Sequence, residues 1–142
     1  MGRILAIDYG RKRVGIAVTD ELKMIAGGLC TVHAKDAMTF LKEYCEKEDV
    51  ERIVVGEPFD MKMRASEASR YIEPFVKQLR KQFPHIIVDR TDERFSSRMA
   101  LQAIRDAGLK KKARQNKSLV DTVSATIILQ YYLQELENSV RQ

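Results

Sequence analysis

Cysteine, histidine and tryptophan are scarce in this chain. It contains two cysteines, Cys30 and Cys45, two histidines, His33 and His85, and no tryptophan. The cysteines form no CxxC pair, and neither histidine is spaced with a cysteine as a zinc finger requires, so the sequence offers no zinc site of that kind. The two thiols are expected to be buried and reduced, as is usual in a reducing compartment.

Long apolar runs are missing as well. No window approaches the roughly 18 uncharged apolar residues of a membrane span, so no membrane partner is expected. The apolar run at residues 4–7 is too short for a secretory signal and is followed at once by Asp8. The sequence therefore predicts a cytoplasmic protein.

The chain has enough apolar residues for a core and a mild excess of positive charge. Its length of 142 residues with 44% hydrophobic residues suits one compact domain, residues 1–142. The net charge of +5, from 25 Lys and Arg against 20 Asp and Glu, becomes informative only because the basic residues cluster. One cluster is Arg11, Lys12 and Arg13, and the other comprises Lys110, Lys111, Lys112, Arg114 and Lys117.

Hydrophobic periodicity predicts an α/β fold with the order β-β-β-α-β-α-β-α-α. The predicted strands cover residues 3–7, 14–19, 28–32, 53–56 and 86–88, and the helices residues 37–45, 66–79, about 97–108 and 118–137. The three leading strands suit an antiparallel meander, whereas strand–helix–strand segments require parallel crossovers. Asp36 is the predicted N-cap of the first helix. Pro74 is expected to kink the second helix or to begin another one.

Three acids are placed where they could converge. Asp8 ends the first strand, Glu93 follows the last strand, and Asp121 lies in the predicted first turn of the last helix. Sites in α/β sheets form at the carboxyl ends of strands, so these acids could meet there. Clustered carboxylates repel one another unless a proton or a cation lies between them. Because Mg²⁺ and Mn²⁺ prefer such oxygen ligands, the pattern predicts a site for metal-dependent hydrolysis of a phosphodiester.

Each acid also has a structural interpretation. Aspartate is favoured at the start of a turn, which applies to Asp8. Glu93 could pair with Arg90 or Arg94 on the surface. Asp121 could cap the last helix and interact with its dipole. The case for a site therefore rests on the three acids together.

Three segments resemble one family. They are residues 8–18, residues 92–97, and Asp121 with residues 125–130, and they resemble the three motifs of the YqgF family, also called RuvX. That family comprises small bacterial RNase H-like proteins related to the RuvC resolvases. The resemblance implies a five-stranded mixed sheet flanked by helices, with Asp8, Glu93 and Asp121 as the metal-binding catalytic residues. It further implies processing of the 5′ end of pre-16S ribosomal RNA, with Holliday-junction resolution as the rival activity.

The chain departs from the family pattern at Glu57. The family usually has an apolar residue between Gly56 and Pro58, where this chain has an acid. RuvC resolvases place a catalytic acid near the end of this strand. Glu57 is therefore a candidate fourth metal ligand, with a surface position as the alternative.

The basic clusters are predicted to bind nucleic acid. Both lie next to candidate acids in sequence, so they could hold phosphates on either side of a scissile bond. The alternative is that they are solvated charge runs. Arg94 is either part of this surface or a partner that orients Glu93. Tyr9 either stacks on a base or packs inside the protein.

The sequence leaves three activities open. The leading one is a metal-dependent endonuclease acting on pre-ribosomal RNA, the second a junction resolvase acting on branched DNA, and the third a nucleic-acid-binding factor that does not cut. Resolution needs two coordinated cuts and normally a two-fold dimer, so both monomer and homodimer are considered. An actin-like phosphotransferase is excluded, because the chain has no room for a second lobe. The number of metals stays open, and residues 57–70 are a candidate mobile lid.

Overall fold

Five strands form one mixed sheet in the order β3-β2-β1-β4-β5. The strands are β1 (Arg3–Tyr9), β2 (Arg13–Thr19), β3 (Ala26–His33), β4 (Val50–Gly56) and β5 (Ile87–Arg90). The pairs β1–β2 and β2–β3 are antiparallel, while β4 runs parallel to both β1 and β5. The predicted meander, the parallel crossovers and the five-stranded mixed sheet are thus confirmed.

The computed structural model describes residues 2–23, 25–56, 65–90 and 117–141. Within them a short 3-10 helix, Ala34–Asp36, precedes α1 (Ala37–Lys47), and α2 (Ala65–Gln82) and α3 (Lys117–Arg141) follow. The predicted helix at residues 97–108 and the basic loop before Lys117 lie outside the described residues. None of the described helices is both long and apolar enough to cross a membrane.

The start of α1 differs from its prediction in one detail. Asp36 occupies the N-cap position, but its side chain makes no capping hydrogen bond. Instead, Nδ1 of His33 accepts a hydrogen bond of 3.2 Å from the backbone N–H of Lys35 and so caps the 3-10 turn. The chain therefore enters the helix through a turn capped three residues earlier than expected.

Helix α2 is continuous through Pro74. The alternative that Pro74 begins a second helix is wrong, although the residue cannot donate the usual backbone hydrogen bond. Residues 65–70 of the candidate lid belong to α2, because this helix already begins at Ala65. Residues 57–64 lie outside the described residues.

The alternation of side chains along β1 creates two cores, one on each face of the sheet. Leu5 and Ile7 belong to the cluster that includes residues of α1 and α2. Ile4 and Ala6 belong to the cluster with α3, so Asp8, next in this series, lies on the α3 face. Cys30 and Cys45 are free thiols. Both are only partly buried, whereas the prediction was that they are buried.

A buried tyrosine joins the neighbouring parallel strands β4 and β5 to α3. The hydroxyl of Tyr132 donates to Oδ2 of Asp89 in β5 at 2.6 Å and accepts from Nη1 of Arg52 in β4 at 2.6 Å. Burial, together with the hydrogen bond to Asp89, raises the pKa of Tyr132 to about 12. This network fixes the edge strand β5 against the helix that carries Asp121.

Candidate active site

A row of four residues crosses the sheet at the carboxyl end of β1. Thr31 pairs with Gly15, Gly15 with Asp8, and Asp8 with Gly56. Paired residues on neighbouring strands share a face, so the row faces α3. At its β3 end, the hydroxyls of Thr31 and Thr122 share a hydrogen bond of 2.7 Å, which fixes α3 along the row.

The glycines on either side of Asp8 allow α3 to approach the sheet closely. A Cβ atom built on Gly15 would lie 2.1 Å from the carbonyl oxygen of Asp121, and one on Gly56 would lie 2.4 Å from Cδ1 of Ile128. A side chain at Gly15 would collide with the backbone of α3, and one at Gly56 would force the side chain of Ile128 to move. Glycine inside a strand often marks a close approach of another element, and here that approach brings Asp121 to Asp8.

Asp8 is buried, and one of its carboxylate oxygens lacks a partner in the part of the chain that the structure describes. Asp8 is only 7% exposed, and its Oδ1 has no hydrogen-bond partner among the described residues. Burial, and then repulsion from Asp121, hold the pKa of Asp8 well above its usual value. Burying an unpaired carboxylate costs free energy, and a proton or a cation bound to this oxygen would lower that cost.

Asp121 is held by an arginine. Nε of Arg13 donates a hydrogen bond of 2.7 Å to Oδ2 of Asp121. The prediction that Asp121 lies in the first turn of the helix is wrong, because α3 begins four residues earlier at Lys117. The side chains at the N-terminus of α3, including that of Ser118, lie outside the described residues.

The turn between β1 and β2 places positive charge at the same edge of the sheet. Arg11 and Lys12 are exposed, and the side chain of Arg13 is 40% exposed. Tyr9 stacks on Phe75 with ring centroids 4.2 Å apart, which confirms the packing interpretation for Tyr9. The basic turn thus borders the two acids on their solvent side.

The remaining predicted site residues lie outside the described part of the chain. These are Glu57, Glu93, Arg94, Lys110, Lys111, Lys112 and Arg114, and Lys117 is described only as the first backbone position of α3. Among the described residues, no group of three or more side chains is arranged to hold a metal ion. Strands β4 and β5 end at Gly56 and Arg90 on the edge that bears Asp8, since both run parallel to β1. At the end of β5, Nη1 of Arg90 donates a hydrogen bond to Oε1 of Glu73 in α2.

Two features of the site were missed by sequence reasoning. The first is the pairing of Arg13 with Asp121, which joins residues 108 positions apart and leaves no local signal. The second is the role of Gly15 and Gly56, which did have a signal, because an isolated glycine in an apolar strand indicates a close backbone approach.

Comparisons with known proteins agree with this architecture. The family model of RuvX, described as Holliday junction resolvase, matches residues 2–135. A protein of Phocaeicola vulgatus, named as a candidate pre-16S rRNA nuclease, is 60% identical over 134 residues, which cover 94% of this chain and 96% of that protein. A protein of the same name from Flavobacterium psychrophilum is 53% identical over 133 residues, with 94% and 97% covered.

A solved structure is similar in fold. The fowlpox virus Holliday junction resolvase aligns with a TM-score of 0.53 at 11% identity and covers 94% of this chain and 99% of that one. At this identity the likeness concerns the fold alone. The two close relatives and the match over residues 2–135 show that this chain belongs to the RuvX family.

Proposed function

We propose that this chain is a metal-dependent endonuclease that processes the 5′ end of pre-16S ribosomal RNA in the cytoplasm. Its membership of the RuvX family makes it a nuclease. The observation that carries the metal-dependent site is the buried Oδ1 of Asp8, which has no partner among the described residues and lies close enough to Asp121 for their charges to interact. Asp8 and Asp121 would hold a divalent cation, which would supply the positive charge that the buried carboxylate of Asp8 lacks.

The two acids fit Mg²⁺ or Mn²⁺ by their chemistry. Both offer hard oxygen ligands, one of them buried and the other half-buried, which suits an ion that keeps several waters. We propose Glu93 as the third ligand and Glu57 as a candidate fourth, because each follows a strand that ends on this edge of the sheet. When bound, such an ion supplies Lewis acidity and favours deprotonation of the attacking water.

The surrounding basic residues are proposed to hold the substrate. Arg11 and Lys12 are exposed and follow Asp8 closely in the chain. They can bind phosphates of the nucleic acid, and such contacts do not depend on its base sequence. We propose the same role for the other predicted basic residues, namely Arg13, Arg94, Lys110, Lys111, Lys112, Arg114 and Lys117. Because these contacts are ionic, binding should weaken steeply as salt rises.

The choice of RNA over branched DNA rests on the relatives. Two of them, at 60% and 53% identity, carry names that refer to pre-16S rRNA. The family description instead names the Holliday junction, so resolution is the second candidate. Oligomeric state discriminates between them, because a junction needs two coordinated cuts by a two-fold dimer and RNA processing does not.

The test is cleavage of a labelled pre-16S 5′ leader and of a synthetic four-way junction, side by side, with Mg²⁺ or Mn²⁺. Wild type is compared with Asp8→Asn and Asp121→Asn. The matched control is Asp36→Asn, which makes the same chemical change at an exposed position without a side-chain cap bond. We expect metal-dependent cutting of the leader by wild type and Asp36→Asn, and loss of cutting by about 10²-fold or more in the site variants.

Other outcomes lead to different conclusions. Symmetric cutting of the junction alone, by a dimer, would assign resolution. Binding of the leader without any cutting, equal in wild type and Asp8→Asn, would refute the metal site and support the factor that does not cut.

A further inference from the structure

Arg13 brings a positive charge to the two acids that are proposed to bind the metal. Its Nε binds Oδ2 of Asp121 at 2.7 Å, whereas Oδ1 of Asp8 has no partner among the described residues. The two acids carry two negative charges if both are ionised, and Arg13 supplies one positive charge. The site is therefore half neutralised by a side chain of the protein itself.

The guanidinium of Arg13 is also able to leave Asp121. Its side chain is 40% exposed, in contrast to the 19% of Asp121, and it begins β2 directly after the exposed basic turn. Arginine has five N–H donors in a planar fork that suits phosphate as well as carboxylate. A partly exposed arginine that holds a carboxylate is thus also suited to bind a phosphate at the same edge of the sheet.

A divalent cation and the guanidinium disfavour each other at the same carboxylate. Both are positive, and like charges a few ångströms apart inside a protein repel each other strongly. We propose that Arg13 is a gating residue, which holds Asp121 until a divalent cation binds and then transfers its guanidinium to the phosphate of the nucleic acid. This inference rests on the proposed function, since it assumes that Asp8 and Asp121 bind the metal.

A purely orienting role for Arg13 predicts the opposite effect on metal affinity. If Arg13 only holds Asp121 in position, its removal weakens metal binding, because the ligand becomes disordered. If Arg13 competes with the metal, its removal strengthens metal binding and at the same time weakens binding of nucleic acid. The sign of the change therefore separates the two roles.

The experiment is calorimetric titration of Mn²⁺ into the metal-free protein without nucleic acid. Arg13→Gln removes the charge and keeps an amide that can still bond Asp121. Its matched control is Lys12→Gln, which removes the same charge from the adjacent exposed position of the same turn. We expect Arg13→Gln to bind Mn²⁺ about 5–150-fold more tightly than Lys12→Gln, the range that coupled binding sites commonly show. Arg13→Lys, which keeps the charge, should bind close to wild type.

A second measurement follows the arginine directly. In the wild-type protein, the NMR signal of the Arg13 Nε–H group should shift when Mg²⁺ is added and should not shift in Asp8→Asn. Equal or weaker Mn²⁺ binding by Arg13→Gln than by Lys12→Gln would overturn the exchange while leaving the metal site intact. If Mn²⁺ binds wild type and Asp8→Asn equally, the proposed metal site itself fails, and the exchange fails with it.

Discussion

Replacing Asp8 by asparagine is expected to stabilise the metal-free protein while it removes nuclease activity. The reason is the environment of the carboxylate, which is buried, lacks a partner for Oδ1 among the described residues, and is repelled by Asp121. Asparagine has nearly the same shape and no charge. Functional sites commonly reduce stability in this way, because groups arranged to bind a ligand are unsatisfied without it.

The expected gain is the difference between burying a charged carboxylate and burying a neutral amide of the same shape. An unsatisfied buried polar group costs about 1–3 kcal/mol and a charged one costs more, so we expect Asp8→Asn to raise the free energy of unfolding by about 1–3 kcal/mol. For a domain of this size the melting temperature should rise by about 4–10 °C. The measurement is urea and thermal unfolding at pH 8 with EDTA, followed by circular dichroism.

The gain should depend on pH in a defined direction. The pKa of Asp8 is raised in the folded protein, so above the ordinary aspartate pKa of about 3.9 the native state binds more protons than the unfolded state. The stability of wild type therefore falls as pH rises from about 4 to the folded pKa of Asp8, and Asp8→Asn lacks this loss. The two proteins should differ little at pH 4 and most at pH 8.

Adding Mn²⁺ should make wild type more stable than Asp8→Asn. Wild type at a Mn²⁺ concentration of about 100 times its dissociation constant gains about 2.7 kcal/mol, whereas Asp8→Asn should gain much less. The control Asp36→Asn changes an exposed residue and should alter stability by less than about 0.5 kcal/mol at either pH. The reasoning is refuted if Asp8→Asn is less stable than wild type at pH 8 in EDTA, or if its gain is the same at pH 4 and pH 8.

Two further substitutions test how the site is built. Gly15→Ala should destabilise the protein by about 1–3 kcal/mol and abolish cleavage, because the new Cβ would lie 2.1 Å from the carbonyl oxygen of Asp121; Gly27→Ala, whose Cβ would meet nothing closer than 4.0 Å, should retain activity in the same cleavage assay. Tyr132→Phe should cost about 1–2 kcal/mol in urea unfolding, since it removes the hydroxyl that joins β4 to β5. The pKa of Tyr132 is raised to about 12, so wild-type stability should fall between about pH 10 and pH 12, and an equal fall in Tyr132→Phe would contradict this assignment.

The strands were predictable because their signal is local. Apolar runs with short turns located all five strands, with bounds differing by a few residues; β4, for example, begins at Val50 and not at Ile53. Helix starts were harder, because they depend on caps and on the segment before them. The prediction for α3 began at Ser118 rather than Lys117, and this one residue removed Asp121 from the first turn.

The sequence by itself determined the order of the described elements, the family and which acids are candidates for the site, since these depend on local pattern and on motifs. Only the tertiary structure decided that Oδ1 of Asp8 is buried with no partner among the described residues, and that Asp121 is held by Arg13. It also decided that glycines on the two strands beside β1 let α3 approach. These contacts join residues from distant parts of the chain, and burial and charge interactions depend on distance in space. A sequence pattern records which groups are available, and packing decides which of them meet.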